Sequence, residues 1–599
     1  MLRVSVLLAV SLADLAVPEG AVAAPVSAPT TPAPTPQQTQ QSLIDAAPTQ
    51  GQIQSTLPGT STQPLLNYAP LPSVPATTDN GIAPGGPTVT VTEFDISGNA
   101  VYDTATLQAL IASNLGKDLT LAEIYKIADV ITRYYQDHGY GIARATLPEQ
   151  TLVGGRVLIQ VVEGRIGKLS VEGNTRTRTG VILKQASSVK SGDVYNDSAM
   201  DRATLLVNDL PALQAQAVLA PGTEFGAADV DYKVTESAAT SGQLSVDDYG
   251  RPDVGRIRFN GEVNVSSPTD SGDHLTADVT HTEQDQLNYG GLAYSLPLGP
   301  AGGRLTASYN QSRYHVTGVF SPLHLIGTSK NGNLSWLYPE LRSRDSSFYW
   351  GLGFQHAGGA SAITVKQDVV DPKTKKSVKE EVTTRISSTN LNLLQLTSFY
   401  TQSFDDGSNY NLSGSLSSNG HHDYGNNPKA ELAKLEVDAG YQLPFAQVWT
   451  FATHGSSVWS PDPLSDTEKL SLGGPDGLRG YPSADVRGDA GFYGSLELQR
   501  SFAPGLPISL GGFFDAGRVW SRHFDTPFTG TNQFGQKVSG VSTTPPEVHT
   551  LESVGAELVY TSSDKRWESR LEWAYAVGYA KPSDGNTGGH LWATFGMNF

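Results

Sequence analysis

The chain of 599 residues contains no cysteine. That excludes disulfides, thiolate-bound zinc and thiol nucleophiles. Basic residues are in deficit, with 41 Lys and Arg against 59 Asp and Glu and a net charge of −18. A nucleic-acid binder would carry the opposite imbalance, so no nucleic-acid partner is expected. Beyond the extreme amino terminus, no stretch approaches the ~18 continuous apolar residues of a membrane-spanning helix. Catalytic signatures are missing too. There is no G-x-S-x-G elbow, and no phosphate-cradling glycine loop opens a helix. No enzyme activity, cofactor or nucleotide is therefore expected. His421-His422-Asp423 has metal-ligand chemistry but lies among Ser, Asn and Gly, and reads as a surface loop without a metal. The charge run from Lys373 to Glu381 reads as a solvated loop.

Glycine, at 62, and 24 Tyr, 19 Phe and 8 Trp are what the chain does have. That mixture suits strands, turns and aromatic girdles. The first 23 residues read as an export signal. Arg3 is the basic start, Val4 to Val17 the apolar run interrupted by Asp14, and Ala21-Val22-Ala23 the small-residue cleavage site. Residues 24–87, rich in Pro, Thr and Gln, read as a linker. Gln37 to Ile44 is the exception, a candidate short helix.

Two copies of one small module follow, over residues 88–166 and 167–238. In the first, Phe94-Asp95-Ile96-Ser97 alternates and ends at Gly98-Asn99, a turn signal. Helices are expected from Thr104 and from Thr120, where Thr120 and Glu123 fit a capping box and Gly139 can end the helix. Strands around Ile142–Leu147 and Val157–Val162 complete a β-α-α-β-β order. In the second copy, Leu169 to Asn174 mirrors Phe94 to Asn99, with Gly173-Asn174 at the turn. Helices over Thr179–Ala186 and Asp197–Asn208 and strands over Ala215–Leu219 and Val230–Thr235 follow.

Over residues 239–599 the helical period disappears. Leu435, Val437, Ala439 and Tyr441 alternate with Lys434, Glu436 and Asp438, and Leu571, Trp573 and Tyr575 oppose Arg570 and Glu572. The chain ends with Leu591, Ala593, Phe595, Met597 and Phe599 on one face. In a transmembrane barrel the apolar face meets lipid and the polar face a wet lumen. Strand-plus-loop units of about 22 residues give about 16 strands. The expected fold is thus two α+β modules followed by an all-β barrel.

Specific motifs lie late in the barrel. Leu472-Gly473-Gly474 precedes Leu478-Arg479-Gly480-Tyr481, and Phe513-Phe514-Asp515-Ala516-Gly517 follows. If Leu510 and Phe514 face lipid, then Phe513 and Asp515 face the lumen. By the same parity so does Glu497 on the preceding strand. In the first module, Gly139-Tyr140, Pro148-Glu149-Gln150 and Val161-Val162-Glu163-Gly164 stand out.

With these motifs the chain resembles two-partner secretion transporters, which export haemolysins and adhesins and belong to the superfamily of barrel-assembly insertases. The commonest form of the arginine motif has Val where this chain has Leu478. The resemblance implies a signal peptide, a plug helix and linker, two periplasmic polypeptide-transport-associated (POTRA) domains and a 16-stranded barrel in outer-membrane lipid. It implies that Arg479, on a loop folded back into the lumen, pairs with Asp515. In a wet lumen that pair is expected to be hydrated. The partner it implies is a large β-helical exoprotein, moved without nucleotide. An outer-membrane assembly factor and a passive porin are the alternatives. Two repeats are fewer than the main assembly subunit carries, and a porin needs none, so secretion is favoured.

Overall fold

The computed structural model describes residue 43 and residues 47–57, 85–370, 377–419, 433–502, 505–522, 524–531, 537–544 and 546–599. The export signal, His421-His422-Asp423 and, apart from Leu43, the candidate helix over Gln37–Ile44 lie outside these residues. The chain divides into a unit ending at Ala47 and one from Pro48 to Phe599. In the first, Leu43 is helical; everything below concerns the second.

A five-residue helix, α1 (Gln50–Gln54), stands within the segment read as linker. A reciprocal capping box starts it: Gln52 N donates to Thr49 Oγ1 at 3.3 Å, and Thr49 N to Gln52 Oε1 at 3.0 Å. The helix is too short to show a periodicity in sequence.

The first module contains β1 (Thr88–Thr90), β2 (Glu93–Ser97), α2 (Thr104–Ile111), β3 (Asp118–Thr120), α3 (Leu121–Asp137), β4 (Arg144–Thr146) and β5 (Arg156–Val162). The second contains β6 (Arg165–Glu172), α4 (Thr179–Gln185), α5 (Asp197–Asn208), β7 (Leu213–Pro221) and β8 (Ala227–Glu236). Each is a three-stranded sheet, ordered β2-β5-β4 and β6-β8-β7, with its first two strands parallel. Apolar helix faces cover both. Ile124, Ile127 and Ile131 of α3 meet Val157 and Ile159 of β5, and Met200, Ala203 and Val207 of α5 meet Val230 and Tyr232 of β8.

The repeated sequence motifs build equivalent turns. Gly98 and Gly173 have φ of +82° and +89°, and a Cβ on either would overlap a carbonyl of the neighbouring strand, Val161 or Val234. Asn99 Nδ2 donates to the Tyr102 carbonyl at 2.9 Å; Asn174 Nδ2 donates to that of Thr177 at 2.8 Å. The buried Glu163 accepts from Val101 N at 2.6 Å and from Tyr135 Oη at 2.9 Å. Gln150 bonds Leu158 in both directions at 2.8 Å, standing in for a strand neighbour of β5 just after Pro148. Tyr140 packs on the first core. The modules meet at Gly164 (φ +74°), whose carbonyl accepts from Tyr195 N, while Gly139, at the end of α3, accepts from Asp197 N.

Glu236 closes the second module as Glu163 closes the first. It accepts from Thr175 Oγ1 at 2.7 Å and from the amides of Thr175, Arg176 and Thr177 at 3.2, 2.7 and 2.8 Å. Burial pushes its carboxyl up, but these donors prevail and bring it down to about 2. A depressed pKa stabilises the fold above the unfolded value, near pH 4.5, and that stabilisation fades as pH falls toward 2. The site is half exposed, so screening holds its contribution to roughly 1–2 kcal/mol. Glu236→Gln should make residues 165–236 of the full-length chain more protease-sensitive at pH 7, with the gap to wild type narrowing by pH 3.

The remaining strands are β9 (Thr240–Asp247), β10 (Arg258–Ser266), β11 (His274–Thr282), β12 (Leu287–Pro297), β13 (Arg304–His315), β14 (Ile326–Arg342), β15 (Ser346–Val370), β16 (Ser377–Ser403), β17 (Asn409–Ser418), β18 (Ala433–Phe445) and β19 (Trp449–Trp459). Next come β20 (Leu470–Leu472), β21 (Val486–Gly488), β22 (Ala490–Ser501), β23 (Ile508–Trp520), β24 (Phe524–Thr531), β25 (Lys537–Thr544), β26 (Val548–Thr561), β27 (Trp567–Val577) and β28 (His590–Asn598). Sixteen of them, all but the β20–β21 and β24–β25 ribbons, form a closed antiparallel barrel in which β28 returns to β9. Part of the charge run expected as loop is strand, because β16 begins at Ser377 and pairs with β15 there.

The barrel is inside out. Leu435, Leu571, Trp573, Leu591 and Phe595 are exposed, whereas Glu557, Glu572 and Asp515 are buried. Only lipid makes an outward apolar band stable, and closure removes the open edges that lipid cannot solvate. The second module docks beneath this barrel. Asp209, just after α5, receives Arg342 Nε at 3.0 Å and Nη2 at 2.8 Å from the end of β14, and Arg344 pairs with Asp201 at 2.9 Å.

Candidate functional site in the barrel lumen

Between β19 and β22 the chain turns back into the lumen as a long loop, residues 460–489, stiffened by the β20–β21 ribbon. At its tip Gly473 and Gly474 take φ of +110° and +97°. Gly474 N donates to the Tyr481 carbonyl at 3.0 Å and Ala484 N to that of Gly473 at 3.2 Å, closing the tip on itself. Leu478 is fully buried with Leu472, Val519 and Leu551. Gly517 on β23 makes room for it, since a Cβ there would lie 3.0 Å from Leu478 Cδ1. Gly480 passes so close to the wall that its Cβ would lie 2.7 Å from that of Ser553. The ring of Tyr481 is fully buried, and its hydroxyl donates to the Ala580 carbonyl at 3.3 Å.

This packing delivers Arg479 to the wall. Its Nε and Nη2 fork onto Asp515 at 3.1 and 2.6 Å, and its backbone N–H donates to the same carboxylate at 3.2 Å. Nη1 reaches Glu497 at 2.7 Å and Glu572 at 3.3 Å, and Nη2 also donates to Ser495 Oγ at 2.8 Å. The guanidinium lies 3.3 Å above the centre of the Phe513 ring. Every guanidinium N–H has an acceptor. Asp515 accepts further from Ser495 and Ser553 at 2.8 and 2.9 Å.

The structure therefore brings Gly473, Gly474, Leu478, Arg479, Gly480 and Tyr481 together with Phe513, Asp515, Gly517 and Glu497. The motif residues of the periplasmic modules take no part in this site. One expectation is corrected: the pair is dry. Arg479 is 3 % exposed and Asp515 not at all, because Phe513, Ser495 and Ser553 fill the space a wet lumen would leave to water. Sequence reasoning also missed three contributors. Glu572 was visible only as one of many lumen-facing acids. Ser553 gave no signal. Trp592 on β28, which donates its indole N–H to the Arg479 carbonyl at 2.7 Å, reads in sequence as one more aromatic in a strand.

The helix α1 also occupies the lumen. Gly51 N donates to Asp466 of the loop at 2.6 Å, and Gln52 Nε2 to the Ala484 carbonyl at 3.1 Å. Arg487 pairs with Asp466 and bonds Thr49 at 2.6 Å. On the wall side, Ser329 donates to Gln54 at 3.1 Å, and Arg258 reaches the Thr56 carbonyl. Loop and helix thus form one hydrogen-bonded obstruction.

Comparison with known proteins bears on this arrangement. The family model described as haemolysin secretion/activation protein ShlB/FhaC/HecB matches residues 226–532, and that of the ShlB-type POTRA domain matches residues 89–164. The heme/hemopexin transporter protein HuxB of Haemophilus influenzae (strain 86-028NP) is 23 % identical over 481 residues, covering 80 % of this chain and 81 % of its own. The outer membrane transporter CdiB of Escherichia coli O6:K15:H31 is 25 % identical over 569 residues, covering 91 % and 89 %. The solved structure of CdiB from Escherichia coli has the same fold, with a TM-score of 0.66 at 21 % identity over 94 % of this chain and 98 % of that one.

Proposed function

The chain belongs to the haemolysin secretion/activation family, and on that premise we propose how this outer-membrane pore secretes its partner protein. The observation that carries the reading is a single chain with a POTRA domain at 89–164, a second copy docked beneath the barrel, and a lumen filled by helix α1 and the loop over 460–489. The partner proposed is a large β-helical exoprotein; among the relatives, ShlB of Serratia marcescens is named a hemolysin transporter.

The partner arrives unfolded. Strands β2 and β4 are the edges of the first sheet, and β6 and β7 those of the second. Such edges bind an extended chain through backbone hydrogen bonds that accept many sequences. The partner then enters a lumen lined with Asn, Asp, Glu and Arg. Helix α1 and the loop tip leave their places to let it through. Most contacts of α1 are hydrogen bonds to polar groups that water can also serve, and its one fully buried apolar side chain, Ile53, adds about 2 kcal/mol to the cost of release. The Arg479 anchor keeps the loop attached until transport demands otherwise.

Deleting Val89–Glu236 tests the receptor role. The truncated chain should still fractionate with outer membranes as a heat-modifiable barrel, and partner protein in the medium should fall to background. Secretion at the wild-type level without these modules would end the receptor reading.

A further inference from the structure

We propose that the Arg479 loop is also the clamp that holds the barrel's closing seam shut, with Trp592 and Arg251 as its positioning residues. The seam is weakly built. β28 pairs with β9 over Thr594–Asn598 against Gln243–Asp247, and Gly242 and Phe599 exchange backbone hydrogen bonds at 2.9 and 3.0 Å just beyond, whereas β23 pairs with β26 along its whole length, Ile508–Trp520. Above Asp247 the ladder ends in one last backbone bond, from Asp248 N to the Ala593 carbonyl at 3.2 Å, and the side chain of Asp248 takes over. Its Oδ1 accepts from Ala593 N at 2.8 Å, and its Oδ2 holds Arg256 at 3.0 Å, which in turn donates to the Leu591 carbonyl at 3.2 Å.

The loop bridges the gap. On the β28 side, buried Trp592 donates to the Arg479 carbonyl. On the β9 side, Arg251 Nη1 donates to the carbonyls of Ser483 and Ala484 at 2.9 and 3.1 Å, and Ser483 Oγ donates to the Tyr249 carbonyl at 2.7 Å. Asp253 fixes the Arg251 fork at 3.1 Å. The Tyr249 and Trp592 rings meet edge to face, 6.2 Å apart, across the join. One short segment, Arg479–Ala484, is therefore bonded to both partners of the weakest strand pair. While the loop is docked the seam is stapled from within. When the loop leaves, the seam keeps only its short ladder and the Asp248 bridge.

The absence of cysteine allows a clean test, because an introduced pair has no competitor. A Cβ on Gly596 would lie 3.7 Å from Ser245 Cβ, the spacing a disulfide needs. Full-length wild type, Trp592→Phe and Arg251→Ala would be prepared with and without Ser245→Cys/Gly596→Cys. Deuterium uptake would be followed for residues 243–247 and 594–598 and, as reference, for the β23–β26 pair. Trp592→Phe keeps an aromatic ring, though a smaller one, and loses the indole N–H donor. Trp592→Phe should speed exchange at the seam by roughly three- to tenfold, the effect of one lost buried hydrogen bond; Arg251→Ala, which loses two, should speed it at least as much, and both should leave the β23–β26 pair unchanged. Oxidising the cysteine pair should abolish the difference between variants and wild type, and reduction should restore it. Unchanged seam exchange in both variants would overturn the clamp. So would acceleration spread equally over the whole barrel, or a disulfide that slows all three backgrounds by the same factor. None of these readouts depends on secretion, so the clamp can fail without the transport reading failing.

Discussion

Arg479→Ala should abolish most secretion while the barrel still inserts. The reason is an imbalance of buried charge. One guanidinium faces three carboxylates, Asp515, Glu497 and Glu572, at 2.6, 2.7 and 3.3 Å, with side-chain exposures of 0, 24 and 2 %. Had the pair been hydrated, its loss would cost at most about 1 kcal/mol. Because it is dry, truncation leaves uncompensated buried charges, a loss of about 3–5 kcal/mol. That energy is drawn from loop docking and not from the strand ladders, so the loop should detach and the barrel persist.

Arg479→Lys should fail in part. An ammonium has three donors and cannot fork onto Asp515 while also reaching Glu497, Glu572 and Ser495. Asp515→Ala should be milder than Arg479→Ala, since Glu497 and Glu572 still neutralise the arginine. Exported partner, protease cleavage within residues 460–489 and heat-modifiability would be measured side by side. Normal export by all three variants would remove the pair from the mechanism. Loss of the heat-modifiable band in Arg479→Ala would make the residue structural.

What sequence could and could not reveal follows from how far each signal reaches. Period-two alternation is local, so the lipid-facing Leu571, Trp573 and Leu591 and the lumen-facing Glu572 could be sorted before any strand was placed. Parity also puts Asp515 and Phe513 on the inner wall. It says nothing of height or of which strands become neighbours. That Glu572, 93 residues beyond Arg479, would share its guanidinium with Asp515 depends on barrel closure. The dryness of the site was equally illegible, because it comes from Ser495, Ser553 and Phe513 converging from separate strands. Helix α1 lacked periodicity, though its Thr49-x-x-Gln52 capping box was there to be read. The dock between Asp209 and Arg342 joins residues 133 apart in different domains, and no local pattern marks either one.

That dock supports the second large effect: Arg342→Ala should uncouple the periplasmic modules from the barrel. The Arg342 side chain is fully buried and forks onto Asp209, which also accepts from Tyr349 Oη at 3.4 Å. Burial pushes the Asp209 carboxyl up, and Arg342 opposes that by favouring the charged form. Removing the arginine strands a buried carboxylate at the interface, a loss of about 3–5 kcal/mol. The surviving contacts are individually modest, and they include Arg178, whose N–H and Nη2 donate to the Asp270 and Thr269 carbonyls at 3.0 and 2.7 Å. Arg344–Asp201 is partly exposed at 2.9 Å, and Arg202 donates to the Pro339 carbonyl at 2.6 Å. The second module should then swing on the short link between Glu236 and Thr240. Spin labels at Val153→Cys and Asp405→Cys, both exposed and free of competing thiols, would report this as a broadened distance distribution. Secretion should fall with it, because a receptor that swings no longer delivers its bound chain to one entrance. Asp209→Leu/Arg342→Met should restore much of the narrow distribution, since replacing both charges with apolar groups removes the desolvation penalty along with the attraction. A narrow distribution and normal export in Arg342→Ala would show that the remaining contacts suffice. A double variant as broad as the single would show that the charges themselves, and not the relief of burying one alone, hold the receptor in place.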